Sequence, residues 1–414
     1  MLQIHAPGPK PSAPHPILNM GFRIFFASGA LFAIITMFLW IFVFTGKLSL
    51  AAQIFHPFYW HAHEMFYGYT MAIVAGFLLT AVQTWTGVTM PYGYRLLGIF
   101  APWAVARCLW AVVAFNPGQA ISYSMMVIAF IADMSFMILM CYTVVRAVLK
   151  VKQKRQAGIV AKILLLTLSN ALCYLAIFNG NIELMRIGIY LGFYLLIALV
   201  LTVGRRVTPF FIQKGLSYDN PTIELSIRNS KTLDSLSLVF FLAFMIFDIF
   251  FPNPILVSVS AIATAVVNLI RLRGWYHPAI WTKPLLWSLF LGFIGMCIGL
   301  VLYALHYLFH LGTHSIAVHG LALSGIGMIT IAMISRVSLG HTGRNIHQPP
   351  KTVPWLFMLM VIAFLARVIL PLFSMDHYIM WIMIAQTAWI ISFALFCVSY
   401  IPILCKNRVD GLFG

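Results

Sequence analysis

The chain has 414 residues, 62% of them hydrophobic and 8% charged, with a mean hydropathy of +0.95. Soluble domains carry about a quarter charged residues, so this composition excludes a soluble globular protein. The net charge of +17, from 26 Lys and Arg against 9 Asp and Glu, needs no nucleic-acid partner, because basic cytoplasmic loops of a membrane protein account for it.

At roughly twenty apolar residues per span, the apolar content suffices for about a dozen helices. The expected fold is therefore all-α, a polytopic membrane helix bundle of about twelve transmembrane helices. A proline-rich segment, 1–21, comes first, with Pro7, Pro9, Pro11, Pro14 and Pro16 and no apolar core. It does not read as a cleavable signal peptide, so the first span is expected to direct insertion. Apolar windows then place spans at about 22–45, 60–84, 93–115, 118–147, 157–178, 184–210, 233–251, 254–270, 283–309, 314–336, 352–373 and 377–404. Pro252-Asn253-Pro254 is the only break between the seventh and eighth, which predicts a tight turn. Residues 22–404 form the membrane domain and 405–414 a short tail. With both termini cytoplasmic, 22 of the 26 basic residues fall on the cytoplasmic side, the asymmetry expected of a multi-pass protein of the bacterial inner membrane. The six cysteines lack CxxC spacing and read as packing thiols. Glycine pairs such as Gly188/Gly192 and Gly295/Gly299 have the spacing of close helix contacts.

Ionisable residues inside spans are costly and point to function. Glu64, Arg107, Asp133, Arg186 and Arg367 are in this position, and a buried pair between Arg107 and Glu64 or Asp133 is expected, with roles in proton transfer or in orienting a ligand. The histidines are uneven. His56, His61, His63, His306, His310, His314, His319 and His377 cluster at the outer ends of spans, whereas His277, His341 and His347 lie at the inner rim. Imidazole is a common ligand of haem iron and of copper, so the outer group is a candidate metal or haem site. His306 and His310, four apart, are expected to share a helical face and converge. His61 and Glu64, three apart, are expected to meet, with Glu64 orienting the imidazole. Trp60 and Tyr59 read as interfacial anchors.

Three strings carry a resemblance. They are Trp60-His61-Ala62-His63-Glu64-Met65 with Gly68 and 75–82; Arg206-Val207-Thr208-Pro209-Phe210-Phe211; and His319-Gly320-Leu321 running to Ser335-Arg336-Val337-Ser338-Leu339-Gly340-His341-Thr342-Gly343-Arg344. The chain closely resembles the NnrS family of bacterial twelve-span membrane proteins, from its first span to its last. The resemblance implies b-type haem and copper, with a role in nitric oxide metabolism and protection from nitrosative stress. It matches the family's motif positions at His61, His63, Glu64, Arg206, His319, Arg336, His341 and Arg344. His61, His63 and His319 are the expected ligands of the outer site, with His306 and His310 as further metal ligands. Arg206, Arg336, His341 and Arg344 gather on the inner side, where guanidinium groups suit haem propionates. Two positions depart from the pattern: Arg205 stands where a second glycine is more frequent, and Tyr174 where a histidine is common.

The leading expectation is a membrane haem and copper protein that handles nitric oxide, by turnover as an oxidoreductase or by binding alone, in contact with lipid and with no nucleic acid. A secondary transporter using Asp133 as its coupling site and a haem-delivery or assembly factor are the alternatives.

Overall fold

The computed structural model describes residues 13–51, 56–116, 119–218 and 230–414. The first twelve residues of the proline-rich segment, and Arg228 among the basic loop residues, lie outside these. Among the described residues, twelve helices are long and apolar enough to cross a membrane: α1 (Gly21–Phe44), α2 (Pro57–Thr86), α3 (Tyr94–Phe115), α4 (Tyr123–Lys150), α5 (Lys154–Asn179), α6 (Ile182–Ser217), α7 (Lys231–Phe250), α8 (Pro254–Trp275), α9 (Pro284–Phe309), α10 (His314–His341), α11 (Val353–Leu372) and α12 (Met375–Leu404). No strand occurs among the described residues. Hydropathy locates these helices well because a span must satisfy its backbone internally and present apolar side chains to lipid. The break between α7 and α8 has a local cause. Asn253 caps α8 by accepting hydrogen bonds from the amides of Ile255 (3.0 Å) and Leu256 (3.1 Å), and Pro254 occupies the first helical position, where its missing N–H costs nothing.

Three spans contain a π-helical stretch: Glu64–Thr70 in α2, Ala322–Met328 in α10 and Leu365–Ile369 in α11. Such a turn inserts an extra residue and rotates the helix beyond it, and it is frequent at functional sites. Each lies in or beside a stretch that holds an ionisable residue inside a span: Glu64, His319 and Arg367.

The chain divides into two compact units. Unit 1 comprises Met1–Ile189, Ile334–Pro350 and Phe393–Gly414, and unit 2 comprises Tyr190–Met333 and Lys351–Ser392.

In unit 2, α9 and α10 touch backbone to backbone. A Cβ on Gly299 would lie 2.7 Å from the Leu321 amide nitrogen and 2.8 Å from the Gly320 carbonyl carbon, and one on Gly320 would lie 2.7 Å from the Gly299 Cα. Backbone cannot move aside as a flexible side chain can. Gly299→Ala should therefore destabilise the protein by about 1–3 kcal/mol, whereas Gly98→Ala, with open space around it, should not. Thermal unfolding of both variants in one detergent makes the comparison.

Unit 1 is closed by the tail. Buried Arg23 donates to the carbonyls of Leu404 (2.6 Å), Lys406 (2.7 Å) and Gly414 (2.6 Å). Arg408 donates to the His341 carbonyl (3.1 Å) and the Val409 amide to that of Thr342 (3.2 Å). Gly343 makes this possible: its φ is +73°, and a Cβ there would sit 2.9 Å from Asp410 Oδ2. Hydrogen bonding to the Arg408 guanidinium holds the Asp410 carboxyl down at about 2, against about 3.9 for a free aspartate. A depressed carboxyl favours the folded tail above the free value, and that contribution is lost as pH falls through about 2. A carboxyl NMR titration of Asp410 should find its midpoint near 2, returning toward the free value in Arg408→Gln.

Candidate functional site

The first site residues lie on α2, α3, α4 and α5 of unit 1. Arg107 projects from α3 between two carboxylates. Its Nη1 donates to Glu64 Oε1 at 2.5 Å and its Nη2 to Asp133 Oδ2 at 2.6 Å. All three side chains are buried. An isolated charge here would cost several kcal/mol; one cation between two anions invites further donors, and they are present. Asn170 Nδ2 (3.1 Å) and the Tyr174 hydroxyl (3.1 Å) both donate to Asp133 Oδ2, and Trp110 Nε1 donates to the Tyr174 oxygen at 2.6 Å. Arg107 and Trp110 share a face of α3 at a spacing of three, and Asn170 and Tyr174 share one of α5 at a spacing of four. Gly68 makes room for the arginine stem: a Cβ there would collide with Phe32 Cε1 and lie 3.2 Å from Arg107 Cδ.

His63 completes the cluster. Its ring lies flat on Trp110, centroids 3.7 Å apart and planes at 14°. Nδ1 is 2.9 Å from Glu64 Oε1 and Nε2 is 2.9 Å from Asn170 Oδ1. The proton positions follow from the partners. Asp133 accepts three hydrogen bonds, so Asn170 turns its amide nitrogen toward it and its oxygen toward His63; Nε2 must then donate. Nδ1 faces a carboxylate oxygen, so one proton is held between His63 and Glu64, on either partner. Cation and anion charges balance in both states. Chemically the cluster is a closed, neutral network that can hold a proton.

Two expectations are corrected by this geometry. Glu64 meets His63 rather than His61: the backbone is still helical through Glu64, whose amide bonds to the Trp60 carbonyl, but its carboxylate is engaged by Arg107 and His63. His61 instead stacks on Trp40 of α1, centroids 4.4 Å apart. Trp60, expected as an interfacial anchor, is buried with its ring against Phe115, centroids 5.8 Å apart.

A second cluster, in unit 2, surrounds Asp248 near the end of α7. Tyr194 of α6 donates to Oδ2 (2.5 Å) and Tyr307 of α9 to Oδ1 (2.8 Å). Tyr194 also contacts the Tyr303 hydroxyl (3.0 Å), and His314 Nε2 lies 3.9 Å from Oδ1. Sequence reasoning passed over Asp248 because it stands close to a predicted span end. The usable signal was the paired tyrosines, Tyr190/Tyr194 and Tyr303/Tyr307, each four apart on one helical face.

The convergence expected of His306 and His310 does not occur. α9 ends at Phe309, and His310 adopts a left-handed conformation (φ 53°, ψ 27°) outside the helix, exposed. The ring facing His306 is that of His314, with centroids 5.8 Å apart. His306 Nδ1 donates to the Gly312 carbonyl at 3.2 Å, and His319 Nδ1 to the Ser315 carbonyl at 2.7 Å.

The remaining predicted residues divide between the units. Arg336 is buried on α10 in unit 1. His341, also in unit 1, ends α10 with its ring 5.6 Å from that of Phe22, and Arg344 follows Gly343 beside the tail. Arg206 is half-buried on α6 in unit 2. Arg205, the departure from the motif, has a partner: it and Arg271 both pair with Asp234, at 3.3 and 3.2 Å. Arg186 pairs with Glu183 at the exposed start of α6, 2.6 Å away. All six thiols are free, four of them buried, with Cys405 half-buried and Cys108 exposed. Among the described residues, no group of three or more His, Cys, Asp or Glu is gathered as a metal ion would require.

Arg107→Met would leave two buried carboxylates without their cation, and should cost about 3–5 kcal/mol. Chemical unfolding of the detergent-solubilised protein measures it, and Arg186→Met at the exposed pair should cost under about 1 kcal/mol.

In comparisons with known proteins, the family model described as NnrS protein matches residues 16–408. No curated protein matches the chain.

Proposed function

Because the chain belongs to the NnrS family, we propose that it is a haem- and copper-binding membrane protein that handles nitric oxide in the bacterial inner membrane, with both termini cytoplasmic. The observation carrying this reading is the state of two imidazoles in unit 2. His306 and His319 each commit Nδ1–H to a backbone carbonyl, which fixes the tautomer and makes Nε2 the basic nitrogen. Metal-ligating histidines are held in this way.

The residues named from the sequence fit the cofactors unequally. His306 and His319 fit a metal or haem ligand. His61, half-buried with its ring fixed against Trp40, also fits in position. His63 does not, since both ring nitrogens are engaged and the ring is stacked on Trp110. His310 is exposed outside its helix. Arg336, buried and basic, suits an acidic substituent such as a haem propionate, and Arg206, His341 and Arg344 are weaker contributors.

Bound iron or copper would supply an open coordination position for a diatomic gas. The chain's own part is to hold the imidazoles in one tautomer and to keep the surrounding helices apolar, so that a gas dissolved in lipid reaches the site without crossing water. Asp133, which a secondary transporter would use to couple an ion, is already held by Arg107, Asn170 and Tyr174, and this favours the redox reading over transport.

An absorption spectrum and metal analysis of protein purified in detergent test the proposal. Haem absorption, copper, and a spectral change on adding nitric oxide are expected. His319→Ala or His306→Ala should lower cofactor content several-fold, and His63→Gln should leave it in place. A preparation that stays colourless and metal-free after reconstitution with haem and copper would refute the reading.

A further inference from the structure

Unit 2 encloses a cavity of about 10 Å³ between α6, α7, α8, α9 and α10. That is close to the least space that admits one water-sized molecule. Every residue lining it is buried, and the wall is mostly apolar, with Leu201, Phe241, Met296 and Leu321 among its side chains. Gly325, in the π-helical stretch of α10, seats part of this wall: a Cβ there would lie 2.7 Å from Ile197 Cδ1 and 2.8 Å from Met296 Sδ.

Two polar residues line the cavity, Asn268 and Cys297, and neither gives a water what it needs. Asn268 Nδ2 donates to the Thr264 carbonyl (2.8 Å) and to Ser237 Oγ (3.0 Å), while its Oδ1 accepts from Arg271 Nη1 (2.8 Å) and from Ser237 Oγ (3.2 Å). Cys297 is a free thiol, a weak hydrogen-bonding group. A buried water needs about two to four polar partners, so the cavity favours an occupant that needs none. Apolar cavities of this kind stay dry and take up apolar guests.

The other side of the same helices is apolar as well. A groove of about 520 Å³ runs along α7, α8 and α9, lined by Phe240, Val259, Val267 and Leu308 among others. Phe240 and Val267 each precede a residue that lines the cavity, Phe241 and Asn268, so groove and cavity adjoin the α7–α8 seam from two sides. A gas that partitions into lipid is concentrated at the groove and has space waiting across the seam.

We infer that this cavity is a docking site for a single molecule of an apolar diatomic gas, the class to which nitric oxide and dioxygen belong. Leu321 stands two residues after His319 on α10 and Leu300, also in the wall, six residues before His306 on α9. The docked gas is thereby held against the two helices that carry these imidazoles. Its use for nitric oxide rests on the proposed function, whereas the docking itself needs neither haem nor copper.

Dioxygen is the probe, because it is diatomic, apolar and paramagnetic and speeds the nuclear relaxation of groups it touches. Full-length protein labelled with ¹³C at the methionine methyl groups is placed under dioxygen and, as control, under argon at equal pressure. The Met296 methyl should relax several-fold faster under dioxygen than the methyls of Met137 and Met140, which are equally buried but do not line the cavity. Cys297→Val, which fills the cavity, should abolish the difference, and Leu201→Ala, which enlarges it, should increase it and serves as the second variant should the first fail to fold. The readout compares two gases on one sample, so it can fail while haem and copper are bound and succeed where they are not. Equal dioxygen effects at Met296, Met137 and Met140, or an effect at Met296 that neither substitution changes, would overturn the proposal and leave a packing void only.

Discussion

A guanidinium buried among membrane-length helices is costly unless it is answered, and Arg107 is answered by two carboxylates. Its two terminal nitrogens reach Glu64 on α2 and Asp133 on α4, so one side chain of α3 ties three helices. Asn170 and Tyr174 bring in α5 by donating to the same Asp133 oxygen. The pair of contacts removes a net negative charge only if one further proton is present, and the contact between His63 and Glu64 holds it. The packing of unit 1 thus depends on an electrostatic balance, and the aromatic rings of Trp110 and Tyr174 enclose that balance from water.

This arrangement changes the meaning of the His61-Ala62-His63-Glu64 string. Read as spacing, it offers two imidazoles and a carboxylate, an obvious ligand set. In the folded chain, His63 and Glu64 are consumed by the ion cluster and His61 is turned toward Trp40. The residues that keep a basic nitrogen in a defined tautomer, His306 and His319, are in unit 2. The string beginning at Ser335 is likewise partly architectural: Gly343 and the carbonyls of His341 and Thr342 receive the tail.

The twelve spans were legible because lipid imposes a length and a composition that hydropathy reads directly. The pairing of Arg107 with a carboxylate was legible because an unpaired charge there is too costly to persist. Its doubling was not, since nothing in the spacing of 64, 107 and 133 says that both acids face one cation. Periodicity misled in two places. The Glu64 carboxylate is taken by Arg107 and His63 instead of His61, and the left-handed residue His310 broke the pairing with His306. Asp248 was missed because its tyrosine partners come from separate stretches of sequence, which only the fold brings together.

The claim that unit 1 is organised by charge balance at Arg107 is tested most directly by a triple variant, Glu64→Gln with Arg107→Met and Asp133→Asn, compared with Arg107→Met alone in the same detergent. Removing the cation and both anions together should recover most of the stability lost with the cation, because the uncompensated charges disappear with it. A triple variant that is less stable than Arg107→Met by the sum of the separate carboxylate substitutions would contradict the account.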